Sequence, residues 1–380
     1  VMKSLPVIRV DRDIRDAVEA FATIGDVRTF PGRDVAGDPS IVADADVLVT
    51  RSVTRIDDQL LAAAPDLAAV ASPIVGTDHV DFAAIHRVRT TTGRPLPYFG
   101  APGSTAGGVA DHAIAAILHL ALSDGRDPAR LRVAIWGYGR CGHALARRLD
   151  ALDIARIEYD PPLEAAGSGF RSAPLDEVLA SDAISLHVPL TRPDESPWPT
   201  AGMIDARILD ALVAGRTSPF ILVNTSRGPV VRGADLLAAL LRPGSSLRTA
   251  IDVWESEPTP DPALVQAVHL PTPHAAGSVF EGRARALSMV RESVRTFLGR
   301  GADWTPPAIE GPAALAPVSL PAGAERFRAI IDAAGTARLA SDFRDGYRDA
   351  PAGEGRAVFD RLHRTVWRRE IAWDEAASIR

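Results

Sequence analysis

The sequence predicts an α/β protein built around a doubly wound parallel sheet. Three observations predict it. Leu131 to Pro162 reads as strand, glycine turn, helix and second strand. Short apolar runs alternate with amphipathic stretches through the first hundred residues, the pattern of parallel βαβ units. A further series of apolar runs, at 183–187, 220–224, 247–253 and 268–270, follows the glycine turn and extends its sheet to about six or seven strands.

The first layer begins with a strand at Val7 to Val10, after which Ile14, Ala17, Phe21 and Ile24 mark one face of a helix. Strands at Asp46–Thr50 and Leu67–Ala71 flank a helix from about Asp57 to Ala64. The loops Arg51-Ser52-Val53-Thr54 and Gly76-Thr77-Asp78-His79 come next after those strands, at the edge where open α/β sheets bind ligands. Ala101 to Gly108 is a breaker cluster, expected to be a hinge, ahead of a long apolar helix over 109–122.

The central unit carries the most specific signal. Val133 to Trp136 is a short buried strand, and Gly137-Tyr138-Gly139-Arg140-Cys141-Gly142 supplies G-x-G-x-x-G directly behind it. Gly137 permits the tight turn, Gly139 admits a pyrophosphate close to backbone N–H groups, and Gly142 lets the helix pack on the strand. The new helix N-terminus then faces phosphates. Leu145, Leu149 and Leu152 give that helix one buried face. The second strand ends at Asp160, where a carboxylate accepts from ribose hydroxyls and repels a 2′-phosphate. Together these features predict a dinucleotide site that takes NAD in preference to NADP.

Helices are expected at 204–213, 234–241 and 280–298, the last returning the chain to the first layer. Residues 301–323 hold five prolines, at 306, 307, 312, 317 and 321, and read as a linker. Helices at 325–334 and 354–366 follow, with Phe327, Ile330, Ile331, Phe359, Leu362 and Trp367 as buried candidates. So small a tail is expected to pack against a second subunit, with packing on its own chain as the alternative.

Composition narrows the function classes. At 380 residues with net charge −6 and no dense Lys/Arg block, the chain lacks the electrostatics of a nucleic-acid or acidic-membrane partner. The single cysteine, Cys141, excludes an intramolecular disulfide and fits a reducing compartment. At a helix N-terminus its thiol could be activated; the plainer reading is a small residue filling space behind the glycine turn. The longest apolar stretch, 113–122 interrupted by His119, is short for a membrane span, so a cytoplasmic protein is expected.

Three residues past the ends of later strands suit oxidation of a 2-hydroxy acid: Arg227 in N-T-S-R-G, Glu257 in D-V-W-E-S-E-P and His274 in P-T-P-H-A-A-G. Hydride loss from C2 requires the hydroxyl to lose a proton, which a histidine accepts near neutral pH. A carboxylate on its other nitrogen fixes the tautomer, and a guanidinium holds the substrate carboxylate. Asp252 is expected to order the nicotinamide end of the cofactor. No metal is called for.

These motifs, in order and spacing, resemble the D-isomer-specific 2-hydroxyacid dehydrogenases over roughly residues 40–300. The resemblance implies a Rossmann dinucleotide domain over 104–276, and a smaller flavodoxin-like α/β substrate domain over 1–103 with 277–300. It also implies a C-terminal α+β dimerisation extension over 301–380, and hence a homodimer. It assigns catalysis to Arg227, Glu257 and His274, places Arg140, Cys141 and Gly277 beside the cofactor, and gives Ser52, Ile74 and Ser278 to a small anionic substrate. Within the family the chain looks most like members acting on a phosphorylated acid. Its departures lie on the substrate side: Ser104 and Thr105 where a small residue and Asn are usual, Ile74 for Thr, and Ser278 for Tyr. Arg51, Ser52 and Arg94 are the donors left for a phosphate. A dehydrogenase for another D-2-hydroxy acid, of the glycerate, phosphoglycerate or hydroxypyruvate type, is the alternative. An NAD-sensing regulatory protein on the same fold is the other; it would need no catalytic set.

Overall fold

The computed structural model describes residues 5–309, 314–316, 319–351 and 353–373; Pro312 and Pro317 lie outside them. The chain forms two compact units, one of residues 1–105 with 281–311 and one of residues 106–280 with 312–380.

The first unit is a five-stranded parallel sheet of β1 (Val7–Asp11), β2 (Asp26–Phe30), β3 (Val47–Val49), β4 (Ala69–Ala71) and β5 (Tyr98–Phe99). Their spatial order is β2-β1-β3-β4-β5, the flavodoxin-like arrangement. β3 and β4 are buried at every position, so their apolar runs are legible. β2 is an edge strand with Arg28 and Thr29 exposed, and its mixed composition hides it from periodicity. The helix expected over 14–24 shortens to Ala17–Phe21, because Asp16 enters it at φ 61°.

The second unit holds β6 (Arg132–Trp136), β7 (Ala155–Tyr159), β8 (Ala183–Leu186), β9 (Phe220–Asn224), β10 (Leu247–Ile251) and β11 (Leu270–Pro271). These pair in parallel in the order β11-β10-β9-β8-β6-β7. The winding reverses between β6 and β8, the switch point at which such sheets take ligands. The strand expected to reach Val253 stops at Ile251, since Asp252 turns its carboxylate into the following loops.

The Ala106–Ser123 helix is buried along most of its length against β6, β9 and β10. By length and composition it could cross a membrane, contrary to the short span expected, but its burial makes it a core helix. Gly107 and Gly108 lie in its first turn rather than in a hinge. A Cβ at Gly108 would come within 2.6 Å of Val279, and one at Gly107 within 2.7 Å of the Glu370 carboxylate.

The described part of the tail is largely helical. Its helices, Ala324–Ala334, Thr336–Asp349 and Gly355–Thr365, pack on their own chain. Phe327, Ile330 and Ile331 join the core around the Ala106–Ser123 helix, while Phe343, Tyr347, Val358 and Phe359 join the core on the opposite side of the sheet. Each such side chain contributes roughly 2 kcal/mol by burial. Leu362 is only partly buried and Trp367 is exposed. The expected α+β character reduces, among the described residues, to three helices and one isolated bridge between Val279 and Arg368.

Candidate active site

The glycine turn closes tightly at the switch point. Gly137 has φ 98°, and a Cβ there would lie 2.7 Å from the His187 carbonyl carbon at the end of β8. A Cβ on Gly142 would lie 2.2 Å from the Gly137 oxygen, so the Arg140–Ala151 helix can seat on β6 only with glycine at that position. Around Gly139 the space is open, with no atom within 4 Å of its would-be Cβ, and Arg140 beside it is exposed. Close packing behind and open space in front suit a pyrophosphate at this helix N-terminus.

Asp160 stands at the end of β7 as expected. One carboxylate oxygen accepts from the Tyr138 N–H at 2.7 Å and the other from the Leu163 N–H at 2.9 Å. The acid therefore ties the glycine turn to the ribose position, and each oxygen retains a lone pair for a hydroxyl. Burial pushes the Cys141 thiol pKa up, against the pull of Arg227 and Arg140, which supports the space-filling reading. His187 escaped sequence reading. It closes the floor of the turn, with Nε2 2.9 Å from the Ser185 hydroxyl, and burial lowers its pKa to about 4, so it is neutral at pH 7. A histidine ending a buried strand beside the switch point was the available signal.

The three catalytic candidates converge in this same unit. Nδ1 of His274 lies 2.7 Å from one Glu257 oxygen, while the other accepts from the Trp254 N–H at 2.7 Å. Glu257 is thus locked in orientation, and Nε2 is the nitrogen left for chemistry. Burial opposes protonation of His274, but the charge and hydrogen bond of Glu257, with help from Asp252, raise its pKa despite the opposing Arg227. The imidazole keeps 43% of its surface open. His274 itself has φ 53°, a left-handed conformation costing a non-glycine residue about 1–3 kcal/mol, a cost concentrated at functional positions.

Arg227 is carried by the loop after β9. Asn224 supports that loop, its amide nitrogen donating to the Arg227 carbonyl at 3.1 Å and its oxygen accepting from the Ser226 N–H and hydroxyl. A Cβ on Gly228 would fall 1.9 Å from the Trp254 carbonyl oxygen. The S-R-G glycine therefore allows the Arg227 loop to lie directly against the Trp254–Glu257 loop.

Asp252 has a task that the sequence does not show. Its buried carboxylate accepts from the Thr272 hydroxyl at 2.6 Å, the Ala275 N–H at 2.7 Å and the Ala276 N–H at 3.0 Å. Burial opposes its ionisation, yet His112, His274 and these hydrogen bonds together hold its pKa below the usual value. It anchors the loop that bears His274. Gly277 and Ser278 lie in that loop, and the buried Ser278 gives its carbonyl to the Arg368 N–H at 3.1 Å.

Residues 120–276 match the NAD-binding domain model of the D-isomer specific 2-hydroxyacid dehydrogenases. An erythronate-4-phosphate dehydrogenase of Salinibacter ruber is 39% identical over 376 residues, covering 98% of this chain and 83% of the relative. The chain belongs to the erythronate-4-phosphate dehydrogenase family. A relative of the same name from Aeromonas salmonicida is 38% identical over 301 residues, 78% of this chain and 75% of its own. Among solved structures, a glyoxylate/hydroxypyruvate reductase of Sinorhizobium meliloti with NADP and malonate has TM-score 0.60 at 26% identity, covering 80% of this chain and 97% of that one. A D-lactate dehydrogenase of Aquifex aeolicus with NAD and lactic acid has TM-score 0.59 at 21% identity, covering 77% and 95%, and shares the fold. The chain is an NAD-dependent dehydrogenase, and its second unit carries the NAD-binding domain of this family.

In the first unit, Ser52 is exposed past the end of β3, and Ile74 is half-buried with its carbonyl accepting from the Ala101 N–H at 3.1 Å. Arg51 binds the buried Asp11 carboxylate at 2.9 Å and also pairs with Asp13. Arg94 is removed from the list of phosphate donors: it donates to the carbonyls of Pro65 and Asp66, which precede β4 and so lie at the opposite edge of the sheet. Ser104 is buried, its carbonyl held by the Arg285 guanidinium at 2.7 Å, and Thr105 ends the first unit.

The raised His274 pKa has a kinetic consequence. For His274 to act as the base in oxidation it must be neutral, so the rate is expected to rise with pH through that pKa. Removing the Glu257 charge in Glu257→Gln lowers the pKa, and the acidic limb of kcat/KM is expected to move to lower pH. A limb that stays in place in a pH series would exclude Glu257 from this role.

Proposed function

We propose that the chain oxidises C2 of 4-phospho-D-erythronate, giving 3-hydroxy-2-oxo-4-phosphooxybutanoate in the route to pyridoxal phosphate. The observation that carries the reading is the His274–Glu257 pair at 2.7 Å, on a loop next to the one bearing Arg227. NAD, when bound, supplies the acceptor for the hydride leaving C2. Nε2 of His274 takes the hydroxyl proton, and Glu257 stabilises the imidazolium that results. Arg227 holds the substrate carboxylate and polarises the oxygen that becomes the carbonyl. Gly137, Gly139 and Gly142 would hold the pyrophosphate and Asp160 the ribose, with Arg140, Cys141 and Gly277 beside them.

On the substrate side, the resemblance gives the phosphate to Ser52, which is exposed. A second reading, a dehydrogenase for another D-2-hydroxy acid, is favoured by one observation: Arg51 is already neutralised by Asp11 and Asp13. Turnover of 4-phosphoerythronate, erythronate, glycerate and 3-phosphoglycerate separates the two. The first reading expects kcat/KM for 4-phosphoerythronate to exceed that for erythronate by roughly 100-fold or more, since a site built around a polar group discriminates against substrates lacking it. Equal values, or preference for an unphosphorylated acid, would establish the second. The cytoplasmic location belongs to this reading through the single cysteine and the homodimer through the resemblance; the apolar side chains of the tail are largely buried on its own chain.

A further inference from the structure

The loop that carries His274 is held on one side by Asp252 through its N–H groups. Its carbonyls are held on another side by residues of the C-terminal tail. Nδ1 of His363 lies 3.1 Å from the Pro273 oxygen and 3.0 Å from the His274 oxygen. The Arg368 guanidinium donates to the carbonyls of Ala275 at 2.9 Å and Ala276 at 3.1 Å, and also to Ala334 at 2.6 Å. The backbone of Arg368 completes the set, its N–H donating to Ser278 and its carbonyl accepting from Phe280. Five carbonyls between 273 and 278 thus end on two side chains and one N–H of the tail.

This matters because the conformation held there is an unfavourable one. His274 stands at φ 53°, and in isolation its peptide would relax toward the ordinary right-handed or extended regions. Relaxation would swing the imidazole away from Glu257. Misplacement of a catalytic group by about 1 Å can cost on the order of 100-fold in rate. Contacts to both carbonyls that flank the strained residue oppose that relaxation directly.

We propose that His363, supported by Arg368, is a positioning residue for the proton-transfer histidine, so that the tail completes the active site of its own chain. Both carbonyls require a donor from His363, which sets its Nδ1–H tautomer. Its ring stacks on Phe359, at 6.1 Å and 20°, and meets the His274 ring edge-on at 5.8 Å. Partial enclosure and the neighbouring His274 lower its pKa, against the two carbonyl hydrogen bonds. The titratable and charged groups around the pair are Glu257, Asp252 and Arg227 near His274, with His112 and Arg368 next to Asp252. His112 is neutral, its pKa lowered to about 4 by burial.

The inference rests on the catalytic reading of His274, and the test keeps the two apart. In the full-length enzyme, His363→Phe retains a ring for the contacts with Phe359 and His274 and deletes only the donor. His363→Asn restores an N–H donor at the position of Nδ1. The expected result is a kcat about tenfold or more lower for His363→Phe, with KM, NAD affinity and Tm little changed, and return to within about threefold of the parent in His363→Asn. An unchanged kcat in His363→Phe overturns the proposal. So does a fall that His363→Asn shares, or one accompanied by equal losses of NAD affinity and Tm, since that is plain destabilisation. His274→Ala is measured in parallel. If it keeps full activity, the catalytic reading fails and takes this inference with it; if it is inactive while His363→Phe is fully active, only the role of His363 fails.

Discussion

His274→Ala is expected to lower kcat by roughly two to four decades, the usual contribution of a positioned general base. NAD binding should persist. The glycine turn and Asp160 are held by β6, β7 and β8, and none of their hydrogen bonds passes through residue 274. The loss should appear equally in kcat and kcat/KM, the pattern of an interaction made in the transition state alone. Steady-state turnover together with a fluorescence titration of NADH measures both. A variant retaining more than about a fifth of parental kcat would remove His274 from the role of base.

Asp252→Ala is expected to destabilise the second unit by about 3–5 kcal/mol, a loss outside the ordinary range for point substitutions. The carboxylate is 1% exposed and accepts three hydrogen bonds, two from backbone N–H groups that no other described acceptor serves. Alanine leaves those donors buried and unpaired, each costing roughly 1–3 kcal/mol, and opens a small cavity beside His112. Activity should fall as well, because the loop bearing His274 loses its anchor. Urea unfolding read by tryptophan fluorescence tests this. A stability change below about 1 kcal/mol would show that the loop is held by the tail alone.

The legible parts of the fold were those with a local signature. β3, β4, β8 and β9 are buried at every position and read as apolar runs. The Phe280–Leu298 helix was bounded correctly from its pattern. β2 and β5 were not read, one because it is an edge strand with exposed polar positions, the other because two residues carry no period. The Thr336–Asp349 helix went unread because its polar face dominates its composition; Leu339, Ala340, Phe343 and Tyr347 face the core only once the helix is placed.

The site divides in the same way. By itself the sequence determined the glycine turn and the terminal Asp160, and singled out Arg227, Glu257 and His274 as candidates, because a backbone that must approach a phosphate and a proton that must move each demand particular residue types. Tertiary structure alone decided what holds them. Asp252 also anchors the loop that bears His274, Arg94 lies at the opposite edge of its sheet, and the tail packs on its own chain with His363 and Arg368 hydrogen-bonded to the carbonyls around His274. The physical reason is that a hydrogen bond between residues ninety positions apart leaves no period or local motif in the sequence. Residue chemistry can be read one position at a time, whereas the partners of a buried carboxylate or a strained carbonyl exist only after the chain has folded back on itself.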